Sequence, residues 1–147
     1  MDDNDQIDEG IFEAEINWLV KSGVKGLVLA MVSEVMRFSA AERRIQWQIV
    51  LRILDGRLPL IVSVGGESTA IAVQLAKAAE SDGATALIAT PPASFPATSS
   101  EIYSYYTAII ESVKIPLIVQ DASNYMGQPL ELELYGKLLE EYGNTRV

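Results

Sequence analysis

The hydrophobic positions of this chain fall into four short, nearly continuous apolar runs. They recur at intervals of roughly 30 residues, and each is followed by a turn and a stretch with helical spacing of apolar positions. Runs without polar alternation are typical of strands buried on both faces of a parallel sheet. The pattern therefore predicts one helix and then four strand–helix units, with strands at residues 26–31, 59–64, 85–90 and 115–120.

Several helix boundaries are marked by specific residues. Ser39–Glu42 and Thr98–Glu101 have the capping-box pattern, in which the hydroxyl and the carboxylate satisfy backbone donors at the helix start. Ser68 is the expected N-cap of the helix between them. The first helix is expected from about Asp8 to Lys21, and the last ends near Gly143.

This series fits half of a (β/α)8 barrel, a fold that normally needs ~250 residues. The chain has 147. We expect residues 1–147 to form a single α/β domain, a partial TIM barrel of about four parallel strands with flanking helices. Residues 1–7 are expected to be disordered or extended, and residues 144–147 have the position of a lead-in to a fifth strand. An open flavodoxin-like sheet is the alternative architecture.

Composition narrows the class of protein. Hydrophobic residues make up 49% of the chain and charged residues 21%, which indicates a globular protein with a core. No apolar stretch is long enough to span a bilayer, and the acidic N-terminus is unlike a signal peptide, so a cytoplasmic protein without membrane contact is expected. The net charge of −9 argues against a nucleic-acid partner. The basic cluster around Arg43 and Arg44 is interpreted as a solvated helix face.

The absence of cysteine and histidine excludes disulfides, thiol catalysis and a Ser-His-Asp triad. Functional residues are instead expected in the loops after the strands, because sites form at the carboxyl ends of parallel strands. Glu34 and Asp121 are a candidate acid–base pair or Mg²⁺ ligands, or else turn and cap residues. The turn Gly65–Ser68 is an anion-binding turn or a purely structural one. The helix tyrosines, Trp18 and Trp47 are expected to serve packing.

At these loops the chain resembles the dihydrodipicolinate synthase / N-acetylneuraminate lyase family of Schiff-base aldolases. The likeness extends from about Ile7 to the C-terminus and includes several segments, which are Ser22–Leu29 before a loop ending in Glu34, Phe38–Arg43, Leu58–Gly65, Ser68–Ala70, Ala76–Ala84, Ala89–Pro92 and Ile115–Val119. The resemblance implies a TIM barrel to which this chain contributes roughly the second to fifth strands, and a homo-oligomeric assembly.

The resemblance also implies where the site residues lie. The family's carboxylate-binding loop corresponds to Met31, Val32, Ser33 and Glu34, of which only the glutamate is retained. The positions that match the proton relay are Gln120, where the family has a tyrosine, and Asp121. The Schiff-base lysine of the family belongs on the strand after residue 147. No metal site and no cofactor are expected.

Two hypotheses for function follow. The first is a divergent lyase or dehydratase that acts on a small 2-oxo acid or sugar acid in its intact form and is inactive as this half-barrel. Such chemistry needs a lysine amine with a lowered pKa and a proton relay, and neither stands at the matching positions. The second is a non-catalytic half-barrel module that self-associates, because open sheet edges with apolar interiors are rarely left bare.

Overall fold

The computed structural model describes residues 7–30, 35–94, 96–126 and 129–147. Residues 1–6, for which a disordered or extended state was expected, lie outside these ranges. The helices are α1 (Glu9–Lys21), α2 (Ala40–Leu54), α3 (Thr69–Asp82), α4 (Ser99–Ser112), the single turn α5 (Ser123–Met126) and α6 (Leu132–Tyr142). The strands are β1 (Leu27–Leu29), β2 (Leu60–Ser63), β3 (Ala86–Ala89) and β4 (Leu117–Val119), and a 3₁₀ helix spans Val35–Arg37.

The four strands form one parallel sheet in the order β1-β2-β3-β4. Each strand therefore pairs with the next one in the chain, and every connection carries a helix. This order confirms the predicted α/β architecture of four parallel strands. Since all strands run the same way, their carboxyl ends lie along one edge of the sheet.

Local sequence explains where the helices start and stop. Ser39 and Thr98 both accept from the backbone amide three residues later, while Glu42 and Glu101 accept from the amides of the two caps. Both predicted capping boxes are thus confirmed, as is the Ser68 cap of α3. At the other end, α3 stops at Gly83, whose φ of +106° is a left-handed conformation that glycine adopts without strain.

The core lies between the helices and one face of the sheet. Strand residues that point to this face are fully buried, among them Leu60, Val62, Leu87 and Leu117. The alternate residues point to the opposite face. There Val28 is 46% exposed and Ile118 43% exposed, with Ile61 and Ile88 partly exposed between them. We call these four residues the inner face.

Two open flanks border the sheet. The helices of the described ranges contact one another in the order α1, α2, α3, α4, α6, so α1 and α6 lie at the two ends of the helix layer. The prediction that Trp18 on α1 serves packing is wrong, because its side chain is 65% exposed, whereas Trp47 on α2 is buried as expected. None of the helices in the described ranges is long and apolar enough to cross a bilayer.

The C-terminal residues extend the sheet slightly beyond β4. The amide of Leu117 donates to the carbonyl oxygen of Arg146 at 2.9 Å. The Arg146 guanidinium in turn donates to the carbonyls of Ile110 and Val113 at the end of α4, at 2.5 and 2.6 Å. The segment therefore lies where the sequence predicts the approach to a fifth strand.

Candidate active site

Three polar side chains lie at the carboxyl end of the inner face. Alternation along β2, β3 and β4 places Ser63, Thr90 and Gln120 two residues beyond Ile61, Ile88 and Ile118, and therefore on the same side of the sheet. Ser63 and Thr90 are buried and Gln120 is half-buried. We call Ser63, Thr90 and Gln120 the polar rim. Its hydroxyls and amide are neutral groups that donate and accept hydrogen bonds.

The strand ends of the polar rim are held very close together. A Cβ atom built on Gly65 lies 3.1 Å from the backbone nitrogen, carbonyl oxygen and hydroxyl of Thr90. Only glycine therefore fits at this position without moving the end of β3. The close approach brings the loops after β2 and β3 against each other.

Arg43 ties α2 to the end of β2. Its guanidinium donates to the carbonyl oxygens of Ser63 at 2.6 Å and Gly65 at 2.9 Å. The residue is only 7% exposed, and burial lowers the pKa of its guanidinium. Its Nε is also buried and has no hydrogen-bond partner within the described ranges. The prediction of a solvated basic face is therefore wrong for Arg43, although Arg44 is exposed and pairs with Asp82.

Two tyrosines of α4 reach the same strand ends from behind the sheet. The Tyr105 hydroxyl accepts from the amide of Gly66 at 3.0 Å, and the Tyr106 hydroxyl donates to the carbonyl of Ala89 at 3.3 Å. Their rings pack edge to face with centroids 5.3 Å apart. Burial raises the pKa of Tyr105 to about 12 and also raises that of Tyr106, so both remain protonated near neutral pH. The two tyrosine rings pack in the core as predicted, and their hydroxyl groups also position the ends of β2 and β3.

Glu67 joins the loops after β2 and β3. Its carboxylate accepts from the amides of Ala93, at 3.2 and 3.3 Å, and Ser94, at 2.9 Å. Because Gly66 already donates to Tyr105, the turn Gly65–Ser68 uses its polar groups internally. This arrangement favours the structural interpretation of the turn over an anion site.

The Glu67 contacts predict a pH-dependent stability. Burial alone raises the pKa of Glu67, but the hydrogen bonds from Ser94 and Ala93 outweigh it and hold the pKa below its ordinary value. A carboxyl with a lowered pKa stabilises the fold above its unfolded pKa of about 4.3, and this stability is lost as pH falls through the folded value. We expect Glu67→Gln to be less stable than the parent chain near pH 7, with the difference shrinking below about pH 4.

Urea unfolding of both chains between neutral and acidic pH measures this difference. Other carboxylates titrate in the same range, but they are common to both chains and cancel. A stability difference that does not change with pH would contradict a role for the ionised Glu67 carboxylate.

The two residues predicted as the catalytic relay lie side by side but in different surroundings. Gln120 belongs to the polar rim. Asp121 is directed into its own loop, where it accepts from the amides of Ser123 at 2.6 Å and Leu130 at 2.9 Å. The hydrogen bonds from Ser123, followed by the one from Leu130, lower the pKa of Asp121. An ionised carboxylate with both oxygens engaged is a turn-stabilising group and a weak general acid.

The remaining predicted site residues, Met31, Val32, Ser33 and Glu34, lie outside the described residues, and their substrate-binding role stays a prediction.

A groove of about 520 Å³ lies on the outer side of the rim, between the starts of α3 and α4. Its lining includes Glu67, Ser68, Pro92 and Tyr105, but neither Gln120 nor Asp121. The groove is therefore separate from the polar rim. No cluster of metal-binding side chains occurs among the residues that the structure describes.

All five lysines are described, and they lie away from the polar rim. Lys21, Lys77 and Lys137 are on α1, α3 and α6, while Lys25 and Lys114 precede β1 and β4 at the amino ends of the strands. The carboxyl edge of this sheet thus carries hydroxyl, amide and carboxylate groups but no amine from a lysine.

Comparison with known proteins places this arrangement in a family. The sequence model that defines the dihydrodipicolinate synthetase family matches residues 1–145 of this chain. The chain belongs to this family. The resemblance identified from the sequence is thereby confirmed.

Relatives in the dihydrodipicolinate synthetase family are about twice as long. The 4-hydroxy-tetrahydrodipicolinate synthase of Brucella suis is 28% identical over 138 residues, which are 93% of this chain and 47% of that protein. The probable 2-dehydro-3-deoxy-D-pentonate aldolase YjhH of Escherichia coli is 30% identical and aligns with 90% of this chain and 44% of its own length. The chain therefore spans about half the length of the curated relatives it matches.

A solved structure gives the same proportion. The chloride-inhibited dihydrodipicolinate synthase of Acinetobacter baumannii, complexed with pyruvate, matches with a TM-score of 0.87 at 28% identity. The match covers 91% of this chain and 46% of that chain. Since the structural neighbours are TIM barrels, the four-stranded sheet corresponds to half of such a barrel, as predicted.

Proposed function

We propose that this chain is the half-barrel of a lyase or dehydratase for a small 2-oxo acid or sugar acid, and that it forms no Schiff base by itself. The observation that carries the proposal is the polar rim, which presents neutral hydrogen-bonding groups at the carboxyl edge of a family half-barrel without a lysine. Related proteins are named as a synthase and an aldolase, and the structure of the Acinetobacter baumannii synthase was solved in complex with pyruvate.

The polar rim suits a small oxo acid. Such a substrate has carbonyl and carboxylate oxygens that accept hydrogen bonds, and the Ser63 and Thr90 hydroxyls and the Gln120 amide are donors. The Arg43 guanidinium lies behind Ser63 and adds positive charge there, since its hydrogen bonds go to backbone carbonyls and no acidic side chain of the described residues forms an ion pair with it. Ser33 and Glu34, with Met31 and Val32, are proposed to complete the binding loop.

The described half-barrel lacks two groups that a Schiff-base aldolase requires. A Schiff-base aldolase needs an amine of lowered pKa at the barrel mouth and a group that relays protons. Every lysine here lies on a helix or before a strand, and the Gln120 amide neither gains nor loses a proton near neutral pH. Strands beyond this half would have to supply the amine, and the proposed reaction uses no cofactor.

Borohydride trapping tests this proposal. The chain is incubated with pyruvate or a 2-keto-3-deoxy sugar acid, reduced, and analysed by mass spectrometry. We expect no mass increase, because no lysine shares the polar rim. The Brucella suis synthase serves as a positive control for trapping. An adduct on any of the five lysines would falsify the proposed inactivity.

A second candidate function is a non-catalytic module that self-associates. The observation that favours it is the inner face, where Val28 and Ile118 are 46% and 43% exposed although both are strand residues. Apolar sheet surface and open strand edges of this kind are normally covered. In this case the partner is another copy of the chain and no substrate is required.

A further inference from the structure

We infer that Asp121 and Ala122 are positioning residues, which fix Gln120 on the polar rim through the backbone and do not themselves contact the substrate. The inference rests on the proposed function for the role of Gln120, and it adds what holds that residue in place. Asp121 is then an anchor of the loop and not a member of a catalytic relay. We call residues 120–123 the exit turn, because the chain leaves β4 there.

Ala122 has an unfavourable backbone conformation. Its φ of +49° lies in the left-handed region, which side chains with a Cβ atom rarely adopt. Among the described residues, the only other non-glycine residue with a positive φ is Asp55, which caps the end of α2, where this conformation is ordinary. Such conformations persist where surrounding contacts impose them, and they are concentrated at functional sites. The exit turn is therefore a place where the fold accepts strain to direct the chain.

Asp121 supplies the contacts that impose this conformation. Its Oδ1 accepts from the amide of Ser123 at 2.6 Å, and its Oδ2 accepts from the amide of Leu130 at 2.9 Å. Ser123 directly follows Ala122 and begins α5, while Leu130 is a buried core residue ahead of α6. One carboxylate thus holds the chain on the far side of Ala122 and joins it to the core.

Gln120 is held on the near side of Ala122 by its backbone. Its amide donates to the carbonyl oxygen of Ala89 at 2.9 Å, and the same oxygen accepts from the Tyr106 hydroxyl at 3.3 Å. Within the described ranges the Gln120 side chain makes no hydrogen bond of its own. Its place on the polar rim beside Thr90 is therefore set by the backbone of the exit turn.

The two neighbouring side chains lie on opposite sides of the sheet. Alternation along the strand directs Gln120 to the inner face and Asp121 to the helix side. The charge of Asp121 is felt there, since burial and then this charge raise the pKa of Tyr135 on α6. With both oxygens engaged on the helix side, the carboxylate shapes the exit of the chain from β4 and leaves the inner face to Gln120.

Hydrogen exchange of backbone amides, followed by NMR, tests the inference on the chain itself. The Gln120 amide reports its bond to Ala89, and the Val64 amide, which donates to Ile88 at 2.9 Å, reports the sheet as a whole. Position 122 is changed to glycine, which adopts left-handed backbone freely, and to valine, which resists it. Relative to Val64, we expect Gln120 to exchange about tenfold faster or more in Ala122→Val and no faster in Ala122→Gly.

Substitutions of Asp121 remove the anchor itself. Asp121→Ala loses both amide contacts, whereas Asp121→Asn keeps one carbonyl oxygen as an acceptor. The exchange of Gln120 relative to Val64 should therefore rise about tenfold or more in the alanine variant and less in the asparagine variant. Ala97→Gly is the matched control, because Ala97 is a loop alanine outside the left-handed region, and it should leave the ratio unchanged.

An unchanged ratio in Ala122→Val or in Asp121→Ala would overturn the inference. Equal acceleration at Gln120 and Val64 would overturn it as well, because that result shows a general loss of stability and no specific hold on the polar rim. No substrate enters these measurements, so their outcome is independent of borohydride trapping. A trapped adduct contradicts the proposed function and leaves the exchange ratio as it was.

Discussion

Replacing Gln120 by tyrosine is expected to raise turnover about 100-fold or more in a barrel completed with the strands that this half lacks. The completed barrel is a hybrid in which the remaining strands come from the Brucella suis synthase. Gln120 lies on the polar rim and matches the tyrosine that the family resemblance assigns to proton relay. Positioned acid–base groups contribute about 10²- to 10⁴-fold, and an amide supplies none of this.

The matched control is Gln120→Phe, which introduces the same ring without the hydroxyl. Pyruvate trapping by borohydride should occur in all three hybrids, because the amine comes from the added strands. Only the tyrosine hybrid should turn over rapidly. If Gln120→Tyr and Gln120→Phe have equal rates, position 120 has no part in proton relay, and the assignment of the polar rim as an active site loses its main support.

The fold was predictable because its signals are local. The apolar runs place the strands to within a few residues, and the capping boxes at Ser39 and Thr98 mark helix starts through side chain to backbone contacts within a single turn. Strand order followed as well, since consecutive strand–helix units pair with their neighbours in a right-handed series. Periodicity and caps need no knowledge of distant residues.

The supports of the polar rim were not predictable in the same way. Arg43 and Arg44 are adjacent in the sequence, yet Arg43 is buried against the end of β2 and Arg44 pairs with Asp82 on the surface. What separates them is the angle of each residue around α2, relative to a strand 20 residues away. Ser63 lies within an apolar run and carries no sequence signal for a related reason, because its position on the inner face depends on the register of the strands.

The carboxylates show how contacts decide chemistry. The sequence makes Asp121 a candidate catalytic group and places Glu67 in a turn that could bind an anion, but it identifies both only as acidic loop residues. In the structure both carboxylates accept hydrogen bonds from backbone amides. Asp121 accepts from Ser123 and Leu130, and Glu67 accepts from Ala93 and Ser94. Which amides reach a carboxylate depends on the course of the loops, and this information is not contained in the spacing of residues.

Arg43→Ala is expected to destabilise the fold by about 3 kcal/mol. The substitution removes two hydrogen bonds from a charged donor, each worth about 1.5–3 kcal/mol, and leaves the Ser63 and Gly65 carbonyls without them. Relief of the cost of burying the guanidinium offsets part of this loss. For a domain of this length the change corresponds to a Tm lower by roughly 6–12 °C, measurable by thermal unfolding.

Arg44→Ala is the matched control, because Arg44 is the next residue on the same helix and its side chain is 50% exposed in its pair with Asp82. Exposed ion pairs contribute little, so its loss should be much smaller. Arg43→Lys should fall between the parent and Arg43→Ala, since one ammonium group replaces a planar fork that reaches two carbonyls. Equal stability of the two alanine variants would show that the end of β2 holds its position without Arg43, and that the polar rim is supported by Tyr105 and the Gly65–Thr90 contact alone.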